Sequence, residues 1–248
     1  MNVSLYQAAA AMNAQARWQE LITNNLSAGA APGFRKQDIS FSAIQAGMDP
    51  TAVNGSNQRY WIPTATAGTN FTPGELRATG NALDCAIEGP GFFEVQMADG
   101  SRAYTRDGEF QLNAQGQLVT KQGYPIMSDG GPVQLDPNNP APITISASGE
   151  VSQSDQVKGR IRVVEFSQPQ SLTSLSGGYF RADPAVAQPI TSPASSVRQG
   201  FLEASNASPT AEMASLITSM RLFEANQKVL QTQDDRMGRA IADLGGTS

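Results

Sequence analysis

The chain has 248 residues, a formal net charge of −5 and a charged fraction of 16%, below the roughly 25% of ordinary soluble domains. The acidic balance, with no run of Lys or Arg, excludes nucleic acid as a partner. The absence of histidine and the single cysteine, Cys85, exclude internal disulfides, Cys-based zinc sites, His-dependent triads and most zinc and iron sites.

The N-terminal segment from Asn2 to Leu26 is a run of good helix formers without Gly or Pro, so it predicts a helix. Gly29 and Pro32-Gly33 stop it near Ser27. Leu5, Ala8, Met12, Ala16, Gln19, Ile22 and Leu26 give that helix a weak 3-4 seam. Phe34 to Ile44 reads as a strand or extended arm. Residues 49–70 are rich in Pro, Gly, Asn, Thr and Ser around an isolated Tyr60-Trp61-Ile62 knot, and read as a linker.

From Phe71 to Phe201 the texture is short strands and tight turns. Phe93, Val95 and Met97 alternate with Glu94 and Gln96, as in a half-buried strand. Asp99-Gly100, Asp107-Gly108 and Asp129-Gly130 are turn signals. Phe110/Leu112, Leu118/Val119, Ile143/Ile145 and Ile161 to Phe166 supply further strands, while Phe180 to Val197 reads as irregular. The last element is a helix that Ser208 can cap, with Pro209 at its first position and Glu212 in its first turn; Gly245-Gly246 ends it. Its heptad seam is Met213, Leu216, Met220, Phe223, Gln227, Leu230, Asp234, Met237, Ile241 and Leu244.

The fold class expected is α+β. Helical residues 1–35 and 204–248 pair as a coiled-coil domain, residues 36–70 form a linker or extended arm, and residues 71–203 form a β-rich central domain of short antiparallel strands. An amphipathic helix is not stable alone in water, so each seam needs a partner. No apolar run approaches the ~18 residues that span a bilayer, and no basic and apolar leader of a cleavable signal is present, so none is expected.

Three blocks carry a family resemblance. The first is Asn24-Asn25-Leu26 followed by Gly33-Phe34-Arg35. The second runs Thr79-Gly80-Asn81-Ala82-Leu83-Asp84, Ala86-Ile87-Glu88-Gly89, Gly91-Phe92-Phe93, Tyr104-Thr105-Arg106-Asp107-Gly108 and Gly116-Gln117-Leu118-Val119-Thr120. The third is Gly200-Phe201-Leu202-Glu203 and Ser205-Asn206 with the heptad helix behind them. Together they resemble the axial rod and hook proteins of the bacterial flagellar basal body, and within them the proximal rod branch. Ala28 and Ala31 replace residues of the first signature, and Cys85 an aliphatic residue of the second.

The resemblance implies a structural subunit of the periplasmic rod. Its partners would be itself and other axial proteins, and the flagellar export apparatus during secretion without a cleaved signal. It implies neither a cofactor nor a small-molecule substrate. The assembly interface would comprise Leu5, Met12, Ile22, Asn24, Asn25, Leu26, Met213, Leu216, Met220, Phe223, Gln227, Leu230, Met237, Ile241 and Leu244. The distal rod protein is the alternative within the family. Outside it stand a coiled-coil binding module and a secreted β-rich hydrolase using carboxylates from Asp84, Glu88, Asp107 and Glu109, which read better as turn and surface residues. Cys85 reads as a small buried hydrophobe.

Overall fold

The structure, a computed structural model, describes residues 3–48, 59–154, 156–183, 188–190 and 194–245. The chain divides into two compact units, one built from Met1–Ser27, Gln37–Gly68 and Ser208–Ser248, the other from Ala28–Lys36 and Thr69–Ala207.

The first unit contains α1 (Val3–Ala28), β1 (Gln37–Met48), β2 (Arg59–Thr69) and α2 (Pro209–Gly245). The Ala-rich, Gly- and Pro-free stretch gives α1, and Gly29 follows its last residue. Gln15 Nε2 donates to the Ser219 carbonyl at 3.0 Å and to its Oγ at 2.9 Å, and Asn25 Nδ2 donates to Glu212 Oε2 at 3.4 Å. Later residues of α1 therefore meet earlier residues of α2, and the helices are antiparallel. β1 and β2 pair as a two-stranded sheet, and Phe41 meets Trp18 of α1 edge-on at 5.7 Å.

This hairpin occupies what reads from the sequence as a linker or arm; residues 49–58 of that stretch lie outside the described residues. Pro63 and Gly68 inside β2 argue against a strand. A two-stranded sheet leaves one edge of each strand without a ladder, so a residue lacking an N–H is tolerated there.

The second unit begins with β3 (Leu76–Ala78), β4 (Cys85–Glu88), β5 (Phe92–Gln96), β6 (Arg102–Thr105), β7 (Phe110–Leu112), β8 (Leu118–Thr120), β9 (Met127–Ser128) and β10 (Gly131–Pro132). It continues with β11 (Ile143–Ile145), β12 (Glu150–Gln153), β13 (Gln156–Arg160), β14 (Val163–Phe166), β15 (Thr173–Ser174), β16 (Tyr179–Arg181), β17 (Pro189–Ile190), β18 (Ser196–Gln199) and β19 (Phe201–Glu203). Its largest sheet has the order β15-β16-β6-β5-β14-β17. The expected strand over 161–166 is broken, because Ile161 makes an isolated bridge to Ser128 between β13 and β14. Part of the stretch read as irregular forms β16, β17 and β18.

Alternation along the sheet produces two cores. Phe93, Val95, Phe110, Leu118, Ile126, Val151, Ile161 and Tyr179 fill one, and Phe92, Tyr104, Val164, Phe166 and Phe180 the other. Phe92 and Phe93 are neighbours that point to opposite faces, so one Phe-Phe pair seeds both. Phe93 packs edge-on against Phe110 at 5.0 Å, and Tyr104 against Phe166 at 4.8 Å. Cys85 is fully buried in β4, and burial followed by the charge of Asp84 pushes its thiol up to about 12.

Candidate functional site

The signature blocks converge inside the second unit. Arg35 Nη1 lies 2.6 Å from Glu203 Oε1, and Arg106 Nη1 lies 3.1 Å from Glu203 Oε2, with all three side chains almost fully buried. Arg106 also donates to the carbonyls of Ile87, at 3.2 Å, and Gly89, and its guanidinium lies 5.1 Å from the Phe92 ring centroid. Burial lowers the Arg106 guanidinium to about 10, against the opposing pull of Glu203. Glu203 accepts the Gly74 N–H at 2.8 Å through Oε1, and its carbonyl accepts the Gly33 N–H at 2.7 Å. Gly33 sits at φ +65, and a Cβ there would lie 2.2 Å from the Arg106 carbonyl carbon, so only glycine allows this close approach.

Asn206 extends the cluster. Its Oδ1 accepts the Lys36 N–H at 2.7 Å, and its Nδ2 donates to the carbonyls of Asn70 and Thr72, both at 2.9 Å. One amide thus ties its own segment to two others, Lys36 and residues 70–72. Sequence reasoning reads Asp107-Gly108 as a turn, which the Asp107 cap on the Glu109 N–H bears out, but misses the ion pairing of Arg35, Arg106 and Glu203. An arginine inside each of the first two blocks and a glutamate in the third was the available signal.

In the first unit Asn25 makes a comparable clamp. Its Oδ1 accepts the Gln37 N–H at 2.9 Å and its Nδ2 donates to the Gln37 carbonyl at 2.8 Å, fixing the start of β1 against α1. Asn25 and Ile22 are buried, Met12 and Leu26 half-buried, and Asn24 exposed. The side chains of Leu5 and Leu244 lie outside the described residues.

On α2 the single seam read from the sequence divides into two. Leu216, Phe223, Leu230 and Met237 are half-buried, but the positions between them that turn inward are Ser219, Asn226 and Gln233. Glu212, Leu216, Ser219, Phe223, Asn226, Leu230, Gln233 and Met237 keep the 4-3 spacing with a polar residue in every second layer. That layer is chemically satisfied where Gln15 bonds Ser219. Met213, Met220 and Ile241, expected in the same seam, are instead 52%, 54% and 71% exposed, and Gln227 and Asp234 are exposed as well. Ile217, Leu222 and Val229 add to the exposed apolar surface of this helix.

Of the four carboxylates considered for acid/base chemistry, Asp84 and Glu109 are bridged across two backbone segments and both charges bear on Asp107 between them. Asp84 is buried and accepts Asn81 Nδ2 at 3.0 Å, which corrects its reading as a surface residue. Asp107 caps its turn by accepting the Glu109 N–H at 3.0 Å, and burial raises its carboxyl to about 6. Glu109 faces Lys121 at 3.4 Å, and Glu88 faces Arg198 at 3.6 Å on the surface. A cavity of about 480 Å³ in this unit is lined by Asp129, Arg160, Arg162 and Ser195 among others, and by none of those four. No cluster of metal-ligating side chains occurs among the described residues.

Residues 86–153 match the family described as the flagellar hook protein FlgE/F/G D1 domain, and residues 198–243 match the flagellar basal body rod FlgEFG protein C-terminal family. The chain is 33% identical over 247 residues to the flagellar basal-body rod protein FlgF of Caulobacter vibrioides, covering 99% of each chain. It is 32% identical over 253 residues to FlgF of Escherichia coli, covering 97% of each. It is 31% identical over 255 residues to the flagellar basal-body rod protein FlgG of Buchnera aphidicola, covering 94% of this chain and 96% of that one.

Proposed function

The chain belongs to the flagellar basal-body rod protein family, and from that premise we propose that it is a structural subunit of the bacterial flagellar rod. It is of the proximal kind, like its FlgF relatives, with the distal rod as the alternative that its FlgG relatives keep open. It polymerises with other axial proteins into a helical tube, has no enzymatic activity, and reaches the periplasmic rod through the flagellar export apparatus without a cleaved signal.

The observation that carries this reading is the surface of α2. At 100° per residue, Met213, Ile217 and Met220 lie on one flank of the buried stripe, and Leu222 and Val229 on the other. A contact that repeats by rotation and rise without closing needs two different patches on each subunit, one for each neighbour. Two apolar flanks either side of an intramolecular seat supply that arrangement. In this reading Leu216, Phe223, Leu230 and Met237 seat α2 within its own subunit, while Met213, Met220, Gln227 and Ile241 face neighbours.

Met220→Asp and Leu222→Asp, made separately in the host bacterium, test it. Each places a charge on an exposed patch, so the melting temperature of the purified chain stays within about 2 °C of wild type, because surface changes cost little. Incorporation into basal bodies and motility are expected to be lost. Wild-type motility with both variants would overturn the proposal.

A further inference from the structure

A small groove on α1 has the form of a socket. Ala10, Asn13, Ala14 and Arg17 line it from the helix, and Pro63, Thr64 and Ala65 of β2 line its other wall. Those four helical positions are the diamond of residues that receives a knob in helix–helix packing. The two alanines leave its floor at backbone level. Its volume is about 140 Å³, close to the roughly 150 Å³ that accommodates a benzene-sized group. A methionine side chain suits that volume.

The same unit carries candidate knobs on α2, and they are not seated in their own subunit. Met220 is 54% exposed. Glu224 follows it by one helical turn, and Arg17 follows Asn13 by one turn, so knob and socket each have a charge about 6 Å further along the helix. Neither Arg17 nor Glu224 has an ion-pair partner among the described residues. Knob and socket therefore match in size, and the charges beside them match in sign and spacing.

We infer that the α1 groove receives Met220 of a second copy of this chain, with Glu224 of that copy set against Arg17. The inference rests on the reading of the chain as a rod subunit and names its axial contact. A socket on one surface and a knob on another make a heterologous contact, which propagates to an open array instead of closing into a dimer.

Asn13→Cys combined with Met220→Cys, in the full chain and in assembled basal bodies, tests it by oxidation. Both positions are exposed or half-exposed, and the native thiol of Cys85 is fully buried. The expected result is a cross-linked dimer of this chain that requires both new cysteines. A second arm uses Arg17→Glu and Glu224→Arg. Each alone is expected to lower incorporation about two- to fivefold, as for an exposed ion pair, and the double variant to restore it.

Assembled rods that give no 13–220 link, a 220–220 link, or a link to a different protein would overturn the contact while leaving the rod reading intact. If the cysteine pair prevents incorporation, the charge swap decides alone, and additive losses in the double variant overturn the contact. Absence of the wild-type chain from basal bodies would remove the rod reading, and this inference with it.

Discussion

Glu203→Gln is the sharpest probe of the signature cluster. The change keeps the volume and one acceptor oxygen but removes the carboxylate that, among the described residues, pairs directly with both Arg35 and Arg106. Both guanidinium groups would then sit almost fully buried without their counter-charge. Deleting one partner of a buried ion pair costs about 3–5 kcal/mol, because the charge left behind has lost its hydration and gained nothing. A domain is stable by about 5–15 kcal/mol, so a large share of the second unit's stability should go. At about 2–4 °C per kcal/mol for chains of this size, the melting transition should fall by roughly 6–20 °C. Circular dichroism melts and urea titration would measure it. Glu88→Gln is the control, since Glu88 pairs with Arg198 at 3.6 Å with both side chains at least half exposed, and it should cost less than about 1 kcal/mol. If Glu203→Gln also stays within about 1 kcal/mol of wild type, the two arginines are not held by charge, and the account of the cluster fails.

Two further predictions concern Asp107 and the close approach of Gly33 to Arg106. The carboxyl of Asp107 is raised from 3.8 to about 6, mainly by burial. A carboxyl raised in the folded state binds its proton more tightly folded than unfolded, so its contribution to stability is present below about pH 4 and lost as pH rises towards about 6. Asp107→Asn removes that loss. Its stability relative to wild type should be flat below pH 4, rise through pH 4–6 and level off above, by up to about 3 kcal/mol; a difference independent of pH refutes the assignment. Gly33→Ala should cost well over the roughly 1–2 kcal/mol of left-handed backbone alone, because its Cβ meets Arg106 backbone at 2.2 Å. Gly123→Ala, at φ +88 with open space around it, should cost only that backbone term, and equal melting temperatures for the two would contradict the close approach.

What was legible in the sequence follows from where the information lies. Both helices could be read because their signals are local: Ala8 to Ala11 and the Gly29 break for α1, Pro209 and Gly245-Gly246 for α2. Phe93, Val95 and the Asp99-Gly100 turn give β5 and its return strand for the same reason. The β1–β2 hairpin was half legible: Phe34 to Ile44 reads as a strand or extended arm, and β1 covers its second part, but Pro63 and Gly68 weigh against β2 and nothing nearby reports an unladdered edge. The α2 seam was half legible. Apolar periodicity finds Leu216, Phe223, Leu230 and Met237, but Ser219 turns inward only because Gln15, far away in sequence, offers a donor. Arg35, Arg106 and Glu203 were hidden in the same way. Each has an ordinary local context, and their pairing exists only once distant segments meet.

That dependence on distance reaches into the timing of folding. The second unit takes residues 28–36 from near the start of the chain and fastens them, through Gly33 and Glu203, to its last strand. In the first unit α1 finds its hydrogen-bonding partners on the last helix. The second unit cannot close before Glu203 has been made, nor the first before Ser219, and at about 5–20 residues per second synthesis of that much chain takes roughly 10–45 s. For that interval the nascent chain cannot complete its native pairings, and topologies dominated by such distant contacts fold slowly afterwards.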